Sequence, residues 1–210
     1  LADWAGDRLG ADRERASMTA QGGTLRIIAG DHRGRRIAVP PAGTRPMTDR
    51  VRESLFGVLE PRIVGARFAD LCAGSGAVGI EALSRGATHA LFVERSRDAV
   101  AIIQANLAAL KLTERATVQG ADALVALEAP GATFDLIVAD PPYDDAALAE
   151  GILARCAAPG GPLADEGLLA LTGRTRPTDL PRALPEGLRC VRTLIYGDSC
   201  VDLLERTEAT

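Results

Sequence analysis

From Arg67 onward, short apolar runs alternate with segments of helical spacing, and this rhythm constrains the fold more than any other feature of the chain. Parallel strands cannot be joined by tight turns; each needs a crossover, usually a helix, so regular alternation implies a parallel sheet covered by helices. Phe68 to Cys72 reads as a first strand and Val78 to Ser84 as its helix, and Ala90 to Val93 with Ala99 to Leu110 makes a second pair. Ala116 to Val118 leads into a short helix at Ala123 to Leu127. The apolar run Phe134 to Ala139 is a fourth strand. Ala146 to Cys156 reads as the next helix and Leu168 to Leu171 as the following strand, while Val191 to Tyr196 and Cys200 to Leu204, turned by Gly197-Asp198, form an antiparallel hairpin. The expected class is α/β: a doubly wound, Rossmann-like, mostly parallel sheet with a C-terminal antiparallel hairpin.

Upstream the signals differ. Residues 1–24 are polar without sustained periodicity and contain Met18; they read as a disordered leader or extension. Leu25 to Ala29 and Arg36 to Val39 are strand-like runs joined through Gly30 and Gly34, an N-terminal β-hairpin closed by Pro40, Pro41 and Gly43. Thr48 can cap a helix whose apolar positions are Val51, Leu55, Val58 and Leu59, ending near Pro61, with Arg50 and Arg52 on its outer face. The expected organisation is a leader over 1–24, a hairpin-and-helix arm over 25–64 and a main domain over 65–210. At 210 residues the chain is long enough for one well-packed unit with an appendage.

The first strand is followed at once by Gly74-Ser75-Gly76-Ala77-Val78-Gly79. Glycines there admit positive φ and let a ligand approach the backbone, while the helix start offers unpaired N–H groups. Glu94 ends the second strand 20 residues past Gly74, where a carboxylate can accept hydrogen bonds from ribose hydroxyls; the plain alternative is a solvated strand-end acid. Those features describe a dinucleotide site and a site for S-adenosylmethionine equally. Asp70 favours the second, because an aminoacyl cofactor carries an ammonium group to be held. Asp122 can receive an adenine amino group or cap the short helix after it. The expected cofactor contacts are Asp70, Ala73, Gly74, Ser75 and Gly76 from the glycine loop, Glu94 and Arg95 after the second strand, and Asp122 and Ala123 after the third, with Asp140 after the fourth.

Asp140-Pro141-Pro142-Tyr143 ends the fourth strand. An exocyclic amino nitrogen on a planar base is a poor nucleophile, since its lone pair is delocalised into the ring. A carboxylate and a backbone carbonyl, both acceptors, can take its two hydrogens and draw charge onto it. Two prolines hold the loop rigid, and Tyr143 offers a stacking face. Asp140, Pro141, Pro142 and Tyr143 are therefore the candidate catalytic residues for methylating such a group.

Charge points to the partner. Residues 26–52 carry seven arginines against two aspartates, a local +5, whereas the net charge of −4 leaves −9 on the rest. A basic arm on an acidic body suits phosphate contacts, with Arg33, Arg35, Arg36, Arg45, Arg50 and Arg52 as candidate nucleic-acid-binding residues; the alternative is a solvated surface in which Arg50 and Arg52 pair with Asp49 and Glu53. Cys72, Cys156, Cys190 and Cys200 form no CxxC pair and only His32 and His89 accompany them, so zinc-ligand spacing is lacking; reduced, mostly buried thiols and no metal are expected. No apolar stretch reaches membrane-span length and the N-terminus is charged, which predicts a cytoplasmic protein without a membrane partner.

The run from Asp70 to Ala87 with Asp140-Pro141-Pro142-Tyr143 is similar to amino-methylating Rossmann enzymes. Arg26-Ile27-Ile28-Ala29-Gly30, Gly34-Arg35, the stretch from Arg45 to Phe56 and Tyr196-Gly197-Asp198 narrow this: the chain resembles, over about residues 25 to 205, the RsmD family of 16S ribosomal RNA (guanine-N2) methyltransferases. The resemblance implies a bacterial enzyme of S-adenosylmethionine-dependent methyltransferase fold. It would methylate N2 of one guanine in 16S rRNA, on the 30S subunit or a late assembly intermediate, as a monomer. The rival readings are an adenine-N6 methyltransferase acting on DNA or RNA, a nicotinamide oxidoreductase, which leaves Asp140 to Tyr143 without a task, and a non-catalytic RNA-binding assembly factor.

Overall fold

The structure, a computed structural model, describes residues 23–41, 47–129, 131, 133–175 and 182–207. Arg45 and almost all of the leader lie outside the described residues. Two short strands, β1 (Thr24–Arg26) and β2 (Arg36–Ala38), pair antiparallel, with Leu25 opposite Ile37. The hairpin is as expected, though each strand is shorter and β1 begins at Thr24, inside the segment read as leader.

Helix α1 (Asp49–Ile63) is capped by Thr48, whose hydroxyl accepts the Val51 N–H. It runs two residues beyond Pro61, because a proline in the last turn removes one hydrogen bond on an exposed face. The side chains it buries are Arg52, Leu55, Phe56, Leu59 and Ile63. That spacing makes Arg52 the first residue of the inner stripe rather than part of the outer face.

A seven-stranded sheet follows: β3 (Arg67–Leu71), β4 (His89–Val93), β5 (Ala116–Gln119), β6 (Phe134–Ala139), β7 (Leu163–Arg174), β8 (Leu188–Tyr196) and β9 (Ser199–Arg206). The spatial order is β5-β4-β3-β6-β7-β9-β8, with β3 to β7 mutually parallel and β9 antiparallel to both β7 and β8. The crossovers are α2 (Ala77–Ser84), α3 (Arg97–Leu110), α4 (Ala123–Ala126) and α5 (Ala146–Ala157). Expected elements recur with small boundary shifts, and one large one: β7 extends at both ends of Leu168 to Leu171 and reaches Arg174.

Strand residues alternate between two apolar layers, as the two-residue period requires. Phe68, Phe92, Leu136 and Val138 pack with Leu55, Phe56, Ile80 and Ile103 of the first three helices; Ala69, Leu71, Ile137 and Leu169 pack with Ile152 and Leu153 of α5. The third glycine of the loop belongs to this packing. A Cβ on Gly79 would sit 2.3 Å from the Phe92 ring, so only glycine lets α2 lie so close to the sheet.

The arm is docked by buried polar groups. Glu81 of α2, fully buried, accepts the N–H groups of Ile28 (2.8 Å) and Ala29 (2.9 Å) and pairs with Arg85 Nε (2.8 Å). Asn106 of α3 accepts the Ala38 N–H and donates to the carbonyls of Ala38 and Ser75, which ties the hairpin to the glycine loop. Gly30 has φ +80° and its Cβ would fall 1.8 Å from the Ser84 carbonyl oxygen, so the hairpin turn presses directly on the end of α2. Among the described residues no helix is long and apolar enough to cross a membrane. Of the four free cysteines, Cys156 and Cys200 are buried and Cys72 is half-buried, but Cys190 is exposed.

Candidate active site

Chain order reverses between β3 and β6: β4 and β5 lie on one side of this pair, β7 on the other. The crossovers after the two strands therefore diverge and leave a crevice above their carboxyl ends, where ligands of open α/β sheets bind. Every acid singled out from the sequence lies along this rim.

The glycine loop is braced from three directions. Cys72 takes a left-handed conformation (φ 62°), the Ala73 N–H bonds the Val93 carbonyl, and the Gly74 N–H donates to Glu94 Oε2 at 2.9 Å. The other oxygen of Glu94 accepts the Ser96 N–H at 2.8 Å, and the residue is only 9% exposed. Glu94 is thus no solvated strand-end acid; it fastens the loops after β3 and β4 together. Asp70 is 2% exposed and accepts the Gly79 N–H at 2.8 Å. Asp122 caps α4 by accepting the Leu124 N–H at 2.8 Å, the alternative reading of that residue, while also facing the crevice.

A cleft of about 150 Å³ runs along the rim between Cys72, Glu94, Arg95, Asp122, Asp140 and Pro142. Ala123 lines it as well. Ala73, Gly74, Ser75 and Gly76 form the adjoining turn, and Pro141 and Tyr143 belong to the loop that gives the cleft Asp140 and Pro142; none of these six is in its wall. A larger cavity of about 990 Å³ lies at the amino ends of β3, β6 and β7, among Arg62, Asp135, Glu166, Arg189 and Glu205. There Glu205 is paired with both Arg62 and Arg189, and none of the acids that follow the carboxyl ends of the parallel strands β3 to β6 lines it. The smaller cleft is the one equipped for chemistry.

Acids dominate that cleft. Burial pushes the Asp70 carboxyl well above the ordinary aspartate value; its Gly79 hydrogen bond opposes this, and the neighbouring charges of Asp140 and Glu94 raise it further. Burial raises Asp140 too, against the hydroxyl of Thr172, which donates to its Oδ1. The Cys72 thiol is pushed up to about 12 by burial and by Glu94, Asp140, Asp70 and Asp122, so it stays protonated and is a poor nucleophile. The rim is built for a cation.

Asp70 carries a consequence for stability. Its unfolded carboxyl ionises at the ordinary value and its folded carboxyl higher, so between the two values the folded chain binds more protons and stability falls as pH rises. Asp70→Asn, which keeps an acceptor for Gly79, is expected to raise the melting temperature of the ligand-free protein at neutral pH and to flatten its decline between acid and neutral. Thermal melts across that range read it; an unchanged slope would show that Asp70 does not carry the effect.

The Asp140 loop leaves β6 with its backbone anchored, the Asp140 N–H donating to the Leu71 carbonyl at 3.2 Å. The Pro142 carbonyl accepts the Asp145 N–H, and Asp145 caps α5 through the Leu148 N–H, so the loop is held at both ends. Tyr143 is 47% exposed, and the Arg174 guanidinium lies over its ring at 5.7 Å. Thr172 and Arg174 were not anticipated. They belong to the stretch of β7 beyond Leu171, and the polar step Thr172-Gly173-Arg174 hides the strand's continuation.

The arginines divide. Arg33, Arg35, Arg36 and Arg50 are exposed, though Arg35 reaches the Ala109 carbonyl and Arg36 the Thr24 hydroxyl. Arg52 is a correction: it is fully buried, its Nη2 held by the Arg26 carbonyl and Asp49 at 2.7 Å each, and its Nε and Nη1 are buried without hydrogen-bond partners among the described residues. It is not presented to RNA, because the stripe of α1 that faces the core begins with it.

Residues 25–205 match the family model described as Conserved hypothetical protein 95. The Ribosomal RNA small subunit methyltransferase D of Escherichia coli (strain K12) is 43% identical over 148 residues, 70% of this chain and 73% of that protein. The solved structure of Escherichia coli yhhF superposes with a TM-score of 0.77 at 38% identity, covering 88% of this chain and 98% of that one. The Thermus thermophilus 16S rRNA N2 G1207 methyltransferase in complex with AdoMet and guanosine shares the fold, with a TM-score of 0.63 at 22% identity over 89% of this chain and 50% of that one.

Proposed function

The chain belongs to the conserved hypothetical protein 95 family, the RsmD family of ribosomal RNA small subunit methyltransferases, and we propose that it transfers a methyl group from S-adenosylmethionine to the N2 amino group of a guanine in 16S rRNA. The observation that carries this reading is the half-buried Asp140 carboxylate, held at the switch point of the sheet beside an exposed aromatic ring and in the wall of a cleft lined by acids.

The acid-rich rim fits the cofactor. When bound, S-adenosylmethionine supplies an electrophilic methyl group on a sulfonium centre. Its positive charges suit the carboxylates of Asp70, Asp140 and Glu94, which lie close enough to act on one another's charge. Glu94 and Asp122 keep unused acceptor capacity for ribose and adenine groups, since each carboxylate has more lone pairs than the backbone N–H groups it receives. Asp70 and the glycine loop take the aminoacyl end.

At the other end of the cleft the target guanine must leave its stack to reach Asp140. Tyr143 offers it a face, and Asp140 with the Pro141 carbonyl accepts the two N2 hydrogens, holding the nitrogen in line with the methyl carbon. The nitrogen becomes strongly acidic only after transfer makes it cationic, so Asp140 acts chiefly as acceptor and orienter. The exposed arginines of the arm, Arg33, Arg35, Arg36 and Arg50, grip phosphates around the target loop of the 30S particle or its late precursor, and the enzyme works in the cytoplasm.

Replacing Arg35 and Arg36 together by alanine is expected to weaken binding to 16S rRNA and to reduce its log-log salt slope by about one unit for each phosphate that is no longer neutralised. Arg52→Met should leave that slope at the parent value, since the side chain is buried. Titrations at several salt concentrations check both; an unchanged slope in the double variant would remove those residues from the interface. The chemistry is tested by mass spectrometry of digested rRNA from a strain lacking the gene. Loss of one N2-methylguanosine mark supports the proposal, and loss of an N6-methyladenosine mark instead would refute it.

A further inference from the structure

Asp140 is useful as an acceptor only if its carboxylate holds one orientation. The torsion that turns an aspartate carboxylate is soft and broad, and Asp140 lies one residue beyond the end of β6. Something outside its own loop has to fix it. The parallel register of β6 and β7 pairs Ala139 with Leu171, which sets Asp140 beside Thr172, and the Thr172 hydroxyl donates to Asp140 Oδ1.

Thr172 suits that task. It is 5% exposed, it is β-branched and so restricted at χ1, and β7 is paired on both sides, with Thr172 itself opposite Val201 of β9. A hydroxyl has a single proton to donate, and here it is committed to one carboxylate oxygen, which leaves the other oxygen for the cleft. From this geometry we infer that Thr172 is a positioning residue for methyl transfer: it locks Asp140 so that its second oxygen meets the amino group of the base. The inference rests on the function proposed above.

The same bond acts on charge. Asp140 is faced by Asp70 and the Cys72 thiol from the end of β3, by Glu94 after β4 and by Asp122 before α4, and the Arg174 guanidinium lies over the ring of its loop neighbour Tyr143. Burial favours the protonated form, and the hydroxyl of Thr172 favours the ionised one. A protonated Asp140 would offer a donor where an acceptor is required. Removing the hydroxyl therefore both frees the carboxylate and extends its protonated range toward higher pH.

The test uses the full-length chain with 30S subunits lacking the methyl group and labelled S-adenosylmethionine. Thr172→Val, which keeps the shape and removes the donor, is expected to lower kcat about tenfold, the cost of one hydrogen bond to a charged group. Its KM for RNA and its affinity for S-adenosylhomocysteine should stay at parent values, and the acid limb of its pH profile should move to higher pH. Thr172→Ser should restore both rate and limb, and Thr172→Ala should repeat the valine result should valine disturb folding. Variants without the hydroxyl that match the parent would overturn the inference, as would a slowed Thr172→Val whose acid limb stays in place and whose serine counterpart is no faster. A parent enzyme that transfers methyl normally in those experiments leaves the proposed function standing while the inference falls; a parent that transfers none overturns both.

Discussion

Asp140→Ala is expected to lower turnover by about two orders of magnitude or more while leaving S-adenosylhomocysteine affinity nearly intact, the signature of losing a partner that matters mainly in the transition state. Asp140→Asn should be comparably slow. Its amide would keep an acceptor toward Thr172 and turn an NH2 group toward the target nitrogen, opposing donor to donor. The parent's pH profile carries the same logic. Because burial raises the Asp140 carboxyl above the ordinary aspartate value, the acceptor is lost on acidification at a higher pH than a solvated aspartate would give. Single-turnover rates with labelled cofactor, beside calorimetry with S-adenosylhomocysteine, separate the two effects. A variant that transfers at the parent rate but binds cofactor far more weakly would move Asp140 from the amino group to the cofactor.

The second large effect is on stability. Glu81→Ala removes the acceptor for two backbone N–H groups of the hairpin and the buried partner of Arg85, whose guanidinium also packs over Phe56 at 5.0 Å. Leaving two half-buried donors without an acceptor and a largely buried guanidinium with only an exposed partner costs about 3 to 5 kcal/mol. For a chain of this size that lowers the melting temperature by roughly 6 to 20 °C. Glu60 also bonds Arg85 and is exposed, so it softens the loss only slightly. Glu81→Gln, which retains an oxygen for one N–H, should fall between. Because the hairpin bears Arg33, Arg35 and Arg36, the alanine variant should also bind rRNA more weakly at temperatures where its core is still folded. Denaturant and thermal melts that leave Glu81→Ala within about 1 kcal/mol of the parent would mean the arm is held by its apolar contacts, Ile27 and Ile37 among them.

Much of this was readable in the sequence because it depends on local periodicity. The parallel strands announce themselves as apolar runs, Phe134 to Ala139 with the same boundaries in both, and the capping roles of Thr48 and Asp122 follow from residue type and place. Gly79 was legible as a motif, but its reason, contact with the Phe92 ring, is a tertiary fact. Arg52 shows a subtler limit. The stripe Arg52, Leu55, Phe56, Leu59 and Ile63 has helical spacing, but an arginine at its head reads as the outer face unless burial of a cation is admitted. Thr172 and Glu81 were invisible for another reason. Each acts through a partner 32 or more residues away, and nothing in a single chain's pattern says which strand will lie beside Asp140 or which helix under Ile28.

The proposed activity is tested most directly by incubating the purified protein with unmodified 30S subunits and labelled S-adenosylmethionine, then mapping the modified nucleotide. The expected result is one N2-methylguanosine at a single position of 16S rRNA, absent with Asp140→Ala. Label on adenine N6, or no transfer to particles that the protein binds in the presence of cofactor, would contradict it.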